Sequence, residues 1–246
     1  MGEDGSGPTI EGGVRPIEVK PPPDRLYGRA RGHALRPRQR RLLDVALPRL
    51  AFRPENAAAP LAAFAPGVRS LWLEIGAGGG EHAADLAAAH SHAALIACEV
   101  YENGICSLLS RLVPEGGEAD ADLPGNLRIW ADDGRVLLRL LPDACLERLL
   151  LMFPDPWPKT RHAKRRFVHP DLLGEVGRVL KPGAEWRVAS DDPTYQAWVE
   201  EVMGAQTLFA PARGAVVRPA GWPPTRYEAK ALRAGRSPRY WSFVRM

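Results

Sequence analysis

The sequence predicts an α/β fold, in which a mostly parallel sheet is covered by helices on both faces. Two observations carry this prediction. From residue 70 onward, short apolar runs alternate with helical patterns, as in repeated strand–helix units. Glycines follow the first apolar run directly, at the turn where a doubly wound sheet passes from its first strand into its first helix. We therefore expect a doubly wound, Rossmann-like domain.

The elements can be assigned in order along the chain. Apolar runs predict strands at 71–75, 94–98, 127–130, 148–153, 185–189 and 240–244. Helical patterns occupy 42–50, 81–90, 102–112, the stretch up to 141, 169–180 and 194–203. Lys181-Pro182-Gly183 is a stop signal for the helix before it. The Ala/Pro-rich residues 54–67 are predicted to form a connector or a broken helix.

The chain has 246 residues, which is enough for one large domain or at most one domain plus a short appendage. Residues 1–24 are rich in Gly, Pro, Asp and Glu, which favours a disordered tail. We therefore divide the chain into a disordered, basic arm at 1–40 and a folded domain at 41–246.

Positive charge is concentrated in two clusters, although the net charge is only +4. The first holds seven arginines, Arg25, Arg29, Arg31, Arg36, Arg38, Arg40 and Arg41. The second, between residues 159 and 166, holds Lys159, Arg161, Lys164, Arg165 and Arg166. Such clusters are often solvated faces, but two of them, one beside a candidate active site, favour a polyanionic partner.

The three cysteines have neither a disulfide framework nor paired metal-ligand spacing, so we expect reduced thiols and no bound metal. No apolar run has the length of a signal peptide core or a membrane span. We therefore expect a cytoplasmic protein without a membrane partner.

A cofactor site is predicted where the first strand turns into the first helix. The sequence there is Glu74-Ile75-Gly76-Ala77-Gly78-Gly79-Gly80, and glycines let a ligand approach the backbone closely. Gly-x-Gly-x-Gly behind an acid is the pattern of S-adenosylmethionine-dependent methyltransferases. Glu99 follows Gly76 by 23 residues, where such folds bind ribose hydroxyls, and Asp133 ends the third strand. Each acid alone could be a helix cap or a surface residue.

A reaction site is predicted after the fourth strand, in Phe153-Pro154-Asp155-Pro156-Trp157-Pro158-Lys159. Prolines restrict φ around Asp155 and so hold its carboxylate in one direction. A rigid structural turn is the alternative, but a charged group at the ligand edge of the sheet favours function. Trp157 is predicted either to stack on a base or to pack against the prolines.

The run from Phe153 to Arg166 resembles the signature of bacterial tRNA (guanine-N7-)-methyltransferases, as do Asn126 to Asp133, Ser190-Asp191 and Thr225 to Glu228. The resemblance extends from about residue 25 to the end. It implies a class I S-adenosylmethionine-dependent methyltransferase fold with a seven-stranded sheet, S-adenosylmethionine as cofactor and tRNA as partner. Pro158 departs from the pattern, which often has a polar or basic residue there.

The resemblance also implies residue roles. Cofactor contacts would come from Glu74, Gly76, Gly78, Gly80, Glu99, Asp133 and Asp155, and Asp155 would be catalytic. Substrate and tRNA contacts would come from Lys159, Arg161, His162, Lys164, Arg165, Arg166, Asp191, Thr225, Arg226, Tyr227 and Glu228. The doublets leave Asp132 and Asp192 open as alternatives to Asp133 and Asp191. Oligomeric state stays open between monomer and homodimer.

The implied reaction is methyl transfer to N7 of a variable-loop guanine, at position 46. Guanine N7 carries a lone pair and no proton, so the reaction needs alignment more than deprotonation. We expect Asp155 to orient guanine and to offset the developing positive charge. The alternatives are a methyltransferase acting on another nucleic acid, a small amine or a protein side chain, and a non-catalytic RNA-binding subunit.

Overall fold

The computed structural model describes residues 32–246 and has one sheet of seven strands in that part of the chain. The strands are β1 (Ser70–Ile75), β2 (Ala93–Cys98), β3 (Leu127–Trp130), β4 (Leu146–Met152), β5 (Leu180–Ser190), β6 (Phe209–Ala215) and β7 (Arg239–Arg245). Their order is β3-β2-β1-β4-β5-β7-β6, and β1 to β5 are parallel. Strand β7 runs antiparallel to both neighbours. The predicted fold class is confirmed.

Eight α-helical segments accompany the sheet in the described residues. They are α1 (Pro37–Arg41), α2 (Leu47–Leu50), α3 (Glu81–Ala89), α4 (Glu102–Leu112), α5 (Gly134–Leu140), α6 (Pro170–Val179), α7 (Pro193–Gly204) and α8 (Arg226–Arg233). A π-helical turn, Leu42–Ala46, joins α1 to α2. Short 3-10 helices lie at Pro54–Asn56, Pro60–Ala63 and Thr160–Arg165. None of the described helices combines the length and hydropathy of a membrane span.

Helices cover both faces of the sheet, as predicted. On one face, α5, α6 and α7 bury Leu137, Val176 and Val199 in the larger apolar core. On the other face, α3 and α4 pack with the N-terminal helical segment over β1 to β3, burying residues such as Leu86 and Leu109. Because β1 to β4 are parallel, their carboxyl ends meet at one edge of the sheet.

Several elements were not predicted from the sequence, among them β6 and α8. Strand β6 contains Pro211 and Gly214, which are uncommon inside strands, and it lies at the edge of the sheet, where proline is tolerated. Helix α8 is mostly polar and buries Ala231 alone. Strand β5 also begins earlier than predicted, at Leu180. Lys181-Pro182-Gly183 therefore follows the end of α6 but already lies within the strand.

The first arginine cluster is only partly described, since Arg25, Arg29 and Arg31 lie outside residues 32–246. Arg38 donates to the Val113 carbonyl (2.8 Å), and Arg38 and Arg41 both pair with the buried Glu118 (3.3 Å each). The helix beginning at Pro37 therefore docks on the domain, and it crosses the boundary predicted at residue 40. The disorder predicted for the arm also falls largely outside the described residues.

Candidate active site

A cavity of about 460 Å³ lies at the carboxyl ends of β1 to β4. Side chains and backbone from six regions surround it: the glycine turn after β1, the end of β2, the turn after β3, the turn after β4, Arg165 with Phe167, and the start of α8. The predicted residues that it brings together are Gly76, Gly78, Glu99, Asp133, Asp155, Arg165, Arg226 and Tyr227. Its position matches the edge where open α/β sheets bind ligands.

The glycine turn adopts left-handed backbone conformations at three positions. Gly76 (φ +73°) and Gly78 (φ +59°) line the cavity, and a side chain at either would be strained. Gly80 (φ +76°) does not line it. A Cβ at Gly80 would lie 2.4 Å from the Cβ of Leu108, so this glycine is required for close packing of α4. The cofactor contact predicted for Gly80 is therefore corrected to a packing role.

Glu99 joins the glycine turn to the loop after β2. Its Oε2 accepts a hydrogen bond from the Gly78 N–H (2.5 Å), and Oε1 accepts from the N–H groups of Val100 and Tyr101 (2.8 Å each). Burial raises the pKa of Glu99; the three backbone donors oppose this shift, and the charge of Asp155 adds to it. Oε1 is saturated by its two donors, whereas Oε2 accepts one hydrogen bond and retains a lone pair that can accept from a ligand hydroxyl.

Glu74 lies in a different place from the one predicted. Its side chain is buried at 2% exposure, does not line the cavity, and has Oε1 2.9 Å from Nδ1 of His82 on α3. The side chain thus links β1 to the first turn of α3. Its Oε2 is buried without a hydrogen-bond partner among the described residues. Direct contact with a ligand in the cavity is not supported for Glu74.

Both acids of the doublet after β3 line the cavity. Asp133 caps α5 by accepting from the Arg135 N–H (2.9 Å), and it also pairs with the Arg135 guanidinium (3.3 Å). Asp132 is exposed and accepts from the Asp133 N–H (2.7 Å). Capping α5 uses only part of the hydrogen-bond acceptor capacity of Asp133. Both acids can therefore still accept hydrogen bonds from a ligand.

The turn after β4 is strained at both ends. Phe153 (φ +53°) and Trp157 (φ +44°) adopt left-handed conformations that are costly for bulky side chains. Between them, Asp155 is exposed and lines the cavity. The Phe153 N–H donates to the Ala189 carbonyl of β5 (2.8 Å), which anchors the start of the turn to the sheet. Such strain is typical of functional sites.

The basic run after this turn forms the 3-10 helix Thr160–Arg165. Lys159, Arg161 and Lys164 are exposed. His162 packs edge-on against Trp157 (5.8 Å between ring centroids), and desolvation followed by the charge of Arg165 lowers its pKa. The Arg165 guanidinium lies over the Trp157 ring at 4.7 Å and lines the cavity. Trp157 packs against these two residues and also lines the cavity, so stacking on a base and packing both stay open.

Arg166 does not belong to this exposed surface. It is 5% exposed, and it donates to the carbonyls of Pro156 (Nε, 3.1 Å) and Trp157 (Nη2, 3.0 Å). A guanidinium buried in this way cannot reach a phosphate on the protein surface. The RNA contact predicted for Arg166 is therefore corrected to an internal contact with the turn.

The residues predicted around α8 divide into two groups. Arg226 and Tyr227 line the cavity, and the Tyr227 hydroxyl lies 3.1 Å from the position that a Cβ of Gly78 would occupy. Thr225 and Glu228 do not line it. Thr225 caps α8 by accepting from the Glu228 N–H (3.0 Å).

Glu228 and Asp191 are both engaged with neighbouring residues. The Glu228 carboxylate accepts from the Tyr240 hydroxyl (2.7 Å) and pairs with Arg218 (3.1 Å). Asp191 pairs with Arg236 (2.6 Å), whereas the adjacent Asp192 caps α7. Neither Asp191 nor Asp192 lines the cavity, so a substrate contact for this doublet stays a prediction.

Sequence reasoning missed several residues of the cavity wall, among them Cys98, Tyr101, Arg135 and Phe167. Cys98, Tyr101 and Arg135 stand within two residues of a predicted acid, which is the signal that would have indicated them. Burial raises the pKa of the Cys98 thiol well above its usual value, so it is a wall residue and not a nucleophile. Phe167 follows the basic run, and no sequence signal separates it from core residues.

Comparison with known proteins agrees with this geometry. A family model described as "Putative methyltransferase" (Methyltransf_4) matches residues 68–239. The tRNA (guanine-N(7)-)-methyltransferase of Granulibacter bethesdensis is 64% identical over 230 residues, covering 93% of this chain and 98% of that protein. The protein of the same name from Paramagnetospirillum magneticum is 44% identical over 227 residues, covering 90% and 92%.

Solved structures show the same fold at low sequence identity. The 16S rRNA methyltransferase KamB has a TM-score of 0.52 at 15% identity, with 73% of this chain and 90% of that chain covered. The antibiotic-resistance methyltransferase Kmr has a TM-score of 0.51 at 16% identity, with 80% and 94% covered. These likenesses establish the fold alone, whereas the full-length sequence relatives establish the family. The chain belongs to the family of tRNA (guanine-N7-)-methyltransferases.

Proposed function

We propose that this enzyme, acting in the cytoplasm, transfers a methyl group from S-adenosylmethionine to N7 of a tRNA guanine, at position 46 in the variable loop. The observation that carries the proposal is the position of Asp155. Its carboxylate stands in a strained Pro-Asp-Pro turn on the cavity that the glycine turn and Glu99 also line. The full-length relatives named above support the choice of tRNA and of guanine N7.

The cavity has the groups that S-adenosylmethionine requires. A Cβ at Gly76 would meet nothing within 4 Å, so the backbone there is open to a ligand. Glu99 can accept from a ribose hydroxyl through Oε2, and Asp132 or Asp133 from the adenine amine. The unpartnered Oε2 of Glu74 could be satisfied through water by the cationic amine of the methionine part. When bound, the cofactor supplies an activated methyl group on a sulfonium sulfur.

Asp155 would hold the guanine while its N7 meets the methyl group. N7 needs no deprotonation, so a general base is unnecessary and alignment supplies most of the rate. The carboxylate can accept from the guanine N1–H or its exocyclic amine. The product is a cationic base, and a fixed negative charge nearby stabilises the positive charge as it develops.

The exposed cations of the run after the turn would hold the RNA. Lys159, Arg161 and Lys164 stand on the 3-10 helix or at its start, directly beyond Asp155. Their charges suit tRNA phosphates, and affinity should fall steeply with salt. The variable-loop guanine lies within tRNA tertiary structure, so local opening would precede transfer. The basic arm at 1–40 would add further phosphate contacts.

Methyl transfer to bulk tRNA tests the proposal directly. The protein is incubated with radiolabelled S-adenosylmethionine and unmodified tRNA, and the digested nucleosides are separated. We expect label in 7-methylguanosine alone. Label in another nucleoside would support a different RNA methyltransferase. The absence of label from every nucleoside would contradict the proposal and leave a methyltransferase for a small amine or a protein side chain, or a non-catalytic RNA-binding subunit.

A further inference from the structure

We propose that Arg166 is a positioning residue, which fixes the direction of the Asp155 carboxylate by holding the backbone of the turn after β4. The inference rests on the proposed function, because it assigns to Arg166 a part in the reaction of that site. It differs from the role that the basic run suggests, in which each cation of residues 159–166 would contact RNA.

The guanidinium of Arg166 spans two consecutive carbonyls of the turn. Nε donates to the Pro156 carbonyl (3.1 Å) and Nη2 donates to the Trp157 carbonyl (3.0 Å). Pro156 directly follows Asp155 and has a restricted φ. Holding the peptide carbonyls on both sides of Trp157 therefore fixes the chain immediately after the carboxylate.

The position of the guanidinium is itself fixed by α7. Its Cζ lies 4.7 Å from the centre of the Trp198 ring, and the Trp198 indole N–H donates to the Val168 carbonyl (2.5 Å). A cation over an aromatic face is attracted by the ring quadrupole. Arg166 thus connects a rigid helix of the core to the turn, and its low exposure keeps competing water away from both hydrogen bonds.

The turn needs this support because its backbone is strained. Trp157 has φ +44°, and a bulky residue remains in that conformation only when surrounding contacts impose it. At the other end, the Phe153 N–H is bound to the Ala189 carbonyl of β5 (2.8 Å). Asp155 therefore lies between two anchors, one provided by the sheet and the other by Arg166.

Lysine could not replace arginine here without loss. The planar guanidinium offers several donors in a fixed arrangement, so it can bind two carbonyls while it lies flat on Trp198. An ammonium group is a point donor that neither matches two carbonyls in one plane nor stacks in the same way. A cation chosen only for phosphate contact would tolerate this exchange.

The test compares Arg166→Lys with Lys164→Met, an exposed cation two positions earlier in the same run. We measure kcat, KM for tRNA, the salt dependence of tRNA binding, and the Kd of S-adenosylmethionine by calorimetry. Arg166→Lys should lower kcat by about a hundredfold, the scale expected for an ångström-size misplacement. Its KM for tRNA and its salt slope should stay as in the wild type. Lys164→Met should raise KM and lower the salt slope by about one.

Hydrogen exchange gives a readout that does not depend on activity. Arg166→Lys should speed exchange at the Phe153 amide, which donates to the Ala189 carbonyl at the start of the turn, with the amides within β4 and β5 unchanged. Hydrogen exchange also distinguishes failure of the inference from failure of the proposed function. An inactive wild-type protein would contradict the proposed function, but exchange would still report whether Arg166 holds the turn.

Three results would overturn the inference. The first is a rise in KM and a loss of salt slope at unchanged kcat, which would make Arg166 a phosphate contact. The second is wild-type kcat and exchange, which would make it dispensable. The third is a fall in both the melting temperature and the cofactor affinity of Arg166→Lys. This result would show that Arg166 stabilises the whole domain and does not specifically position the turn.

Discussion

The backbone N–H of Gly78 donates to Oε2 of Glu99 over 2.5 Å, which joins the glycine turn after β1 to the end of β2. One carboxylate thereby shapes the turn and still presents a lone pair of Oε2 to the cavity. Its ionised form is the one that accepts all three backbone hydrogen bonds. Binding of S-adenosylmethionine should therefore depend on the charge of Glu99.

Glu99→Gln should weaken S-adenosylmethionine binding by about tenfold to a hundredfold, the range for hydrogen bonds to a charged group. The pKa of Glu99 is raised, so in acid the carboxylate gains a proton at a higher pH than an ordinary glutamate does. Wild-type affinity should accordingly fall as the pH is lowered, and the fall should be absent in Glu99→Gln. Calorimetric titrations between about pH 5 and pH 8 measure both effects. Equal pH profiles of cofactor affinity for the wild type and Glu99→Gln would contradict this account. Glu55→Gln, which changes an exposed glutamate, is the control.

Gly78→Ala should reduce cofactor affinity sharply. The new Cβ would combine a left-handed φ of +59° with an approach of 3.1 Å to the Tyr227 hydroxyl. Gly67→Ala is the matched control, because Gly67 (φ +98°) has nothing within 4 Å of the added Cβ. The control should lose about 1–2 kcal/mol of stability from its φ alone and keep its cofactor affinity. Similar losses of affinity in both variants would show that backbone strain, and not the site, explains the effect.

Asp155→Asn should lower kcat strongly and leave the Kd of S-adenosylmethionine nearly unchanged. The amide keeps the shape of the side chain but removes the charge that offsets the cationic product. Loss of one such electrostatic contact typically costs about 10²- to 10³-fold in kcat. Asp143→Asn serves as control, since Asp143 precedes β4 at the opposite edge of the sheet. A proportionate loss of turnover and cofactor affinity in Asp155→Asn would contradict the assigned role.

Arg161→Ala should weaken tRNA binding and lower the slope of log K against log salt by about one, because one phosphate contact is lost. Lys181→Ala is the comparison, since Lys181 is paired with Glu147 (2.7 Å) at the start of β5, outside the cavity wall. Filter binding across a range of salt concentrations measures the slopes. An unchanged slope in Arg161→Ala would place the tRNA elsewhere on the protein.

The parallel sheet and the edge that carries the cavity could be predicted from sequence, because apolar periodicity and the glycine turn are local signals. Gly76, Gly78, Glu99 and Asp155 line the cavity for the same reason, since each stands within three residues of a strand end. Strand β6 escaped prediction because its pairing with β7, and not its composition, stabilises it.

The directions of individual side chains could not be predicted. Glu74 lies within β1 and points to His82 on α3, and Gly80 is required by Leu108 on α4. Both outcomes depend on how the helices pack against the sheet. Arg166 looks like its basic neighbours in the sequence, and only the buried Phe167 that follows it indicates that the chain is entering the core.

The most direct test of guanine-N7 methylation is to map the modified nucleotide. A tRNA transcript is methylated by the protein with S-adenosylmethionine, and its chain is then cleaved chemically at 7-methylguanosine; a transcript with adenine in place of the variable-loop guanine at position 46 is treated in parallel. The account predicts one cleavage, at that guanine, and none in the adenine transcript. Cleavage that persists in the adenine transcript, or methyl transfer without any cleavage, would contradict it.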